Sequence, residues 1–131
     1  QPEDPSRLIN LGSVMGEIAM LDQAYSYSVS KAGVHHMTKI LAKELGPRRI
    51  TVNASVPGPF QSGMTKFAIG EDKGNARVAA RVPAGRLGRP GDIAGAIQFL
   101  CGAGGAYVTG AILPLSGGIN VATGPSIFGE D

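Results

Sequence analysis

The sequence predicts an α/β fold in which helices cover a parallel sheet, and three observations predict it. Short β-branched or apolar runs alternate with segments of helical period. The connections between runs are long enough to bring the chain back for parallel pairing. Turn residues stand just past each run, at Gly12-Ser13, Pro57-Gly58 and Ser116-Gly117.

The first run is "RLINL", residues 7–11, which ends on "GS" and reads as a buried strand. Residues 12–23 follow as a loop at its carboxyl end. From about Tyr25 a helical pattern begins, with Val29, Gly33, Met37, Ile40, Leu41 and Leu45 spaced as an apolar stripe. Gly46-Pro47 stops it. "ITVNASV", residues 50–56, is a second strand, broken by Pro57-Gly58. Residues 59–86 lack a clean period and carry Gly63, Gly70, Gly74 and Gly85, which predicts a long connection with one or two short helices. Such segments inside compact domains are usually lids or binding loops. "RPGDIAGAIQFLCG" places Pro90 in the first turn of a further helix. Its apolar stripe, Ile93, Ile97, Leu100 and Cys101, predicts Cys101 as a buried structural thiol. "AILPL", residues 111–115, is the third strand. In sheets wound this way ligands bind beyond the carboxyl ends of the strands, so three turns are expected to line one crevice.

Composition narrows the class. A chain of 131 residues fits one domain, and 43% hydrophobic residues suffice for a core. Twelve basic and ten acidic residues are scattered along the chain, which argues against a nucleic-acid surface. No apolar run approaches the ~20 residues of a membrane span. The acidic, proline-bearing "QPEDPSR" does not read as a secretion signal, and the lone Cys101 allows no internal disulfide. A soluble, cytoplasmic protein without a metal site is expected.

The chemistry turns on "AYSYSVSKAG", which holds two tyrosines and one lysine. Side chains four apart on a helix share a face, so Tyr27 meets Lys31, whereas Tyr25 has Ser28 and Val29 at those offsets. A cation beside a phenol favours its ionised form and suits it to proton transfer. Ser13, past the first strand, can aim a hydroxyl at the same place. A Tyr and Lys four apart is also common on ordinary helices, so the pair alone does not establish catalysis.

The wider context is more specific. "INLGSVMG", "YSVSKAG", "ELGPRRITVNASVPGPFQSGM", "GRLGRPGDIA" and "YVTGAILPLSGG" together resemble the short-chain dehydrogenase/reductase family, in particular its 3-oxoacyl-acyl-carrier-protein reductase-like members. The resemblance runs from about Arg7 to Ile119. It implies the C-terminal half of a Rossmann-type doubly wound parallel sheet. Residues 1–131 would form a single partial domain, with a substrate-binding lid over 59–86. It also implies hydride transfer between NADP, or alternatively NAD, and a carbonyl or alcohol carbon, most specifically in a 3-oxoacyl thioester. Tyr27 would be the general acid and base, Lys31 would lower its pKa and bind the nicotinamide ribose, and Ser13 would orient the carbonyl. Pro57 and Gly58 would close against the nicotinamide, with Phe60 (through its backbone) and Ser62 contacting carboxamide and phosphates. The implied partners are a small carbonyl or acyl-thioester substrate and further copies of the chain, as a dimer or tetramer. Alternatives are an alcohol or polyol dehydrogenase on the same scaffold, or a non-catalytic oligomerising fragment.

Departures from the family pattern matter. Ser116 stands where many relatives have Asp, a position tied to packing. The chain lacks the family's "TGxxxGxG" loop, which takes the cofactor phosphates, and its "NNAG" segment and active-site Asn. The 131-residue chain alone is therefore expected to be inactive. "GAGGAYVTG" follows a helix and is not expected to replace that loop. His35 and His36 are expected at the surface or a subunit interface. Met15 and Met64 are expected to flank the pocket, as wall residues or substrate contacts.

Overall fold

The computed structural model describes residues 4–60 and 72–122. It contains the expected sheet of three parallel strands, β1 (Ser6–Leu11), β2 (Ile50–Pro57) and β3 (Ile112–Leu115), in the order β1-β2-β3. Among the described residues three α-helices accompany them: α1 (Tyr25–Leu45), α2 (Asp72–Arg81) and α3 (Pro90–Cys101). The crossover from β1 to β2 carries α1, and that from β2 to β3 carries α2 and α3.

Register and side-chain alternation show which helix covers which face. Asn10 pairs with Ala54, which in turn pairs with Ile112, so these three share a face. Asn10 Nδ2 donates to Thr38 Oγ1 at 3.0 Å, which makes that face the one under α1. Val52, Ala54 and Val56 point the same way and are fully buried. Ala54 and Val56 join Val14 in a core flanked by Ile18, Ile112 and Ile119. Burying each valine contributes about 1.5–3 kcal/mol. Thr51, Asn53 and Ser55 point to the opposite face and are buried as well. Asn53 is satisfied there by donating to Val108 O and accepting from Ala111 N–H, both at 2.9 Å. A central strand covered on both sides is what a parallel sheet requires.

Arg7 lies in register with Thr51 and so shares this second face. Its guanidinium donates to Leu100 O at 2.8 Å and to Gly102 O at 2.9 Å. These are carbonyls at the end of α3, where the helix leaves acceptors unpaired and its dipole favours a cation. At the other end of α3, Asp92 accepts the Arg89 N–H at 2.8 Å and a two-pronged bond from Arg86 at 2.8 and 3.0 Å. The Arg86 hydrogen bonds, assisted by the Arg89 amide, hold the Asp92 carboxyl down at about 2.

Two expectations fail. The stripe of Val29, Met37 and Ile40 faces outward, with Val29 70% exposed, while His35, Thr38 and Ala42 are buried. A helix seated closely on a sheet presents small or hydrogen-bonded residues to it, so the apolar stripe marked the other face. Cys101 is exposed rather than buried. Its neighbour Leu100 takes the inward position, about 100° round the helix. The string "GAGGAYVTG" forms a short 3₁₀ turn, Ala103–Gly105, at the exit of α3. A helix exit presents carbonyls, which do not suit phosphate. Among the described residues, no helix is long and apolar enough to cross a membrane.

Candidate active site

Because the strands are parallel and in register, their exits share one edge. Leu11 pairs with Ser55, and Pro57 pairs with Leu115. Past those pairs, Gly12 N–H donates to Ser55 O at 2.7 Å and Gly58 N–H to Leu115 O at 3.0 Å. The three turns therefore stand along the carboxyl edge of the sheet.

At the β1 exit, Ser13 is extended (φ −165°, ψ 146°) and caps the 3₁₀ turn Val14–Gly16 by accepting the Met15 N–H on Oγ at 3.2 Å. With that oxygen accepting, the hydroxyl proton is what remains to be donated. Tyr27, in the first turn of α1, is 45% exposed at its side of the helix. One turn on, Lys31 Nζ lies 5.7 Å from the Tyr27 ring centroid and donates to Leu11 O at 3.0 Å. That bond ties the helix bearing the phenol to the strand end bearing Ser13. Ser13 and Lys31 are thus brought together at one strand end, and Tyr27 stands beside Lys31. Tyr25 is the first residue of α1 and is exposed.

Pro57 closes β2. Gly58 passes so close to the β3 exit that a Cβ there would lie 2.8 Å from Ser116 Cβ and 3.0 Å from its Cα. Ser116 is buried, with its hydroxyl 2.8 Å from Asn120 Oδ1, in keeping with a packing role. Phe60 bridges to Gly88, whose N–H donates to Pro59 O at 2.9 Å. Ser62 and Met64 lie outside the described residues, as does the middle of the expected lid.

An open groove of about 690 Å³ runs between residues 15–25 and α1, lined by Met15, Tyr25, Ser28 and Val29 among others. It excludes Ser13, Tyr27 and Lys31, and so it is a neighbour of the chemistry rather than its seat. A smaller cavity of about 230 Å³ at the β3 exit includes Phe60, Gly88 and Ser116. Among the described residues, no three His, Cys, Asp or Glu side chains cluster as a metal site.

His35, expected at the surface or a subunit interface, is a further residue that reasoning from sequence misplaced. It is only 4% exposed, and its Nε2 accepts the Ser13 N–H at 3.1 Å. The available signal was its position, four after Lys31 and eight after Tyr27, on the face those residues share.

The donor set at this edge fits a nicotinamide nucleotide. Lys31 spends one N–H on Leu11 O and has two more to offer, and the half-exposed Tyr27 hydroxyl adds another group suited to sugar hydroxyls. The site also stands where doubly wound sheets bind such ligands.

Comparison with known proteins gives the family. A family model described as Enoyl-(Acyl carrier protein) reductase matches residues 2–120. The chain belongs to the short-chain dehydrogenase/reductase family. It is 43% identical over 119 residues to the rhamnolipids biosynthesis 3-oxoacyl-[acyl-carrier-protein] reductase of Pseudomonas aeruginosa, covering 91% of this chain and 46% of that protein. The chain thus spans about half the length of the curated relatives it matches. The Pseudomonas aeruginosa RhlG/NADP active-site complex superposes with a TM-score of 0.84 at 42% identity, over 92% of this chain and 48% of that one. A putative NAD(P) dependent gluconate 5-dehydrogenase from Beutenbergia cavernae, with bound NADP, gives 0.82 at 31% identity, over 90% and 47%.

Proposed function

We propose that this chain carries the acid–base machinery of an NADP-dependent reductase of 3-oxoacyl thioesters. The observation that supports it most directly is Lys31, bonded to the β1 exit at Leu11 O and seated beside the Tyr27 ring. Nothing in packing demands that a lysine bridge those two places.

In this reading Ser13 donates its free hydroxyl proton to the substrate carbonyl and holds that oxygen at the edge of the sheet. Tyr27 delivers a proton to the same oxygen as it gains negative charge, and recovers it from solvent afterwards. The Lys31 ammonium stabilises the anion left on Tyr27 and holds the ribose hydroxyls with its remaining protons. Pro57, Gly58 and Phe60 wall the nicotinamide side, and Ser62 reaches the phosphates. Bound nicotinamide supplies the hydride. Residues 59–86 cover the substrate, and 1–131 act as one partial Rossmann-type domain. The outward face of α1, with Tyr25, Val29, Met37 and Ile40 exposed, joins copies of the chain into a dimer or tetramer in the cytoplasm.

The test is turnover of an acetoacetyl thioester with NADPH by the native-length gene product. No turnover, with a sugar acid or polyol oxidised instead, overturns the reading. The gluconate dehydrogenase likeness makes that second activity the alternative to measure. For the 131-residue chain expressed by itself, neither NADPH binding nor turnover is expected. Micromolar binding by fluorescence together with thioester turnover would show the opposite.

A further inference from the structure

His35 is a buried titratable residue that the chemistry above does not use. It sits on α1 one turn beyond Lys31, on the sheet-facing side. Its Nε2 accepts the main-chain N–H of Ser13 at 3.1 Å. Its Nδ1 lies 2.7 Å from Glu17 Oε1 without making a hydrogen bond to it. The ring lies hard against the backbone before Ser13, since a Cβ on Gly12 would stand 2.2 Å from Nε2.

Four hydrogen bonds hold the Ser13 region: Gly12 N–H to Ser55 O, Met15 N–H to Ser13 Oγ, Gly16 N–H to Ser13 O, and Ser13 N–H to His35 Nε2. The first belongs to the sheet, and the second and third are internal to the turn. Of these, the fourth is the one that comes from a side chain on α1, the helix that carries Tyr27 and Lys31. It therefore couples the position of the Ser13 hydroxyl to that of the phenol. Lys31 makes a parallel tie two residues earlier, at Leu11 O. The bond also dictates a tautomer. Nε2 accepts only if it carries no proton, which for a neutral imidazole puts the proton on Nδ1, facing the Glu17 carboxylate. A proton on Nε2 would set two N–H donors head to head.

We propose that His35 is the positioning residue of the Ser13 hydroxyl, held as the Nδ1–H tautomer by the Ser13 N–H that its Nε2 accepts. The proposal rests on reading Ser13 as the group that orients the carbonyl. His35 touches neither substrate nor cofactor. It sets where Ser13 stands relative to Tyr27, a distance to which proton delivery is sensitive.

The test is a double-mutant cycle in the native-length gene product, with kcat and KM read separately for an acetoacetyl thioester. His35→Leu, which cannot accept, is expected to lower kcat by up to about 10²-fold, with the KM for NADPH within about threefold of the parent. His35→Gln can place an amide oxygen near the Nε2 position and should restore kcat to within about fivefold. In a Ser13→Ala background, His35→Leu should cost less than about twofold further. Equal losses in the Leu and Gln variants, or a full additional loss in the Ser13→Ala background, overturn the proposal. If Ser13→Ala alone leaves kcat unchanged, the carbonyl-orienting reading itself fails, and this proposal goes with it. Should His35→Leu not fold, ¹⁵N NMR of histidine-labelled unsubstituted protein decides independently. An unprotonated Nε2 with a protonated Nδ1, assigned by the signal lost in His35→Gln, supports the proposal. The reverse tautomer overturns it.

Discussion

The exits of β1 and β2 meet at one edge of the sheet but are held in opposite ways. At the β1 exit, side chains from α1 reach across to main-chain groups, Lys31 to Leu11 O and His35 to the Ser13 N–H. At the β2 exit, backbone meets backbone, with Gly58 against Ser116 and Pro59 bonded to Gly88. Polar ties from side chains can be exchanged group for group with small loss. A close backbone approach admits no added atom. The β1 exit is thus the adjustable half of the edge and the β2 exit the rigid half, as the proposed proton transfer on one side and the proposed nucleotide contact on the other require.

The sharpest way to break this comparison is at the phenol. Tyr27→Phe in the native-length gene product should lower kcat by about 10²–10⁴-fold with little change in thermal midpoint. A loss below tenfold in steady-state turnover would remove Tyr27 from the chemistry. Gly12→Ala comes next, since its Cβ meets the end of a side chain, His35 Nε2. The imidazole can swing away, so turnover should fall about tenfold while stability, read by denaturant titration, drops by less than in the Gly58 variant. Gly58→Ala reverses that balance. Its Cβ meets Ser116 at both Cβ and Cα, neither of which can swing aside, so overpacking should cost about 1–3 kcal/mol and raise the KM for NADPH.

The smallest effect is electrostatic and lies away from the edge. Asp92 ionises at about 2 when folded against an ordinary 3.8, because Arg86 and the Arg89 amide bond its carboxylate. A depressed carboxyl stabilises the fold above its unfolded pKa, and that contribution fades as pH falls through the folded one. Asp92→Asn should therefore lower the denaturation midpoint by a constant small amount above about pH 5. The two proteins should converge as pH drops from about 4 to about 2. A difference that persists unchanged at pH 2 would refute it.

Strands and helix ends were legible because their signals are local. Gly46-Pro47 stops α1, Pro90 opens α3, and "ITVNASV" has the β-branched character of a covered strand. The Tyr27–Lys31 pairing was legible because it needs only helical spacing. What local signals did not supply was the direction each helix faces. Val29, Met37 and Ile40 form an apolar stripe, yet the sheet takes His35, Thr38 and Ala42. Small size and a nearby acceptor or donor decided that choice, and both depend on residues far along the chain. Thr38 needs Asn10, and His35 needs Ser13. Cys101 was misjudged for the same reason, since one step along a helix separates the core from water.

Arg7 carries a consequence for the order of assembly. Its bonds to Leu100 O and Gly102 O join groups 93 and 95 positions apart in the chain. Closing so large a loop costs entropy before either bond is made, so this clasp is expected to form after β1, β2 and α1 have come together. An interaction absent from the folding transition state acts on the reverse rate alone. Arg7→Met should therefore hasten unfolding and leave the refolding rate nearly untouched, which makes Arg7 a latch on the lifetime of the folded chain.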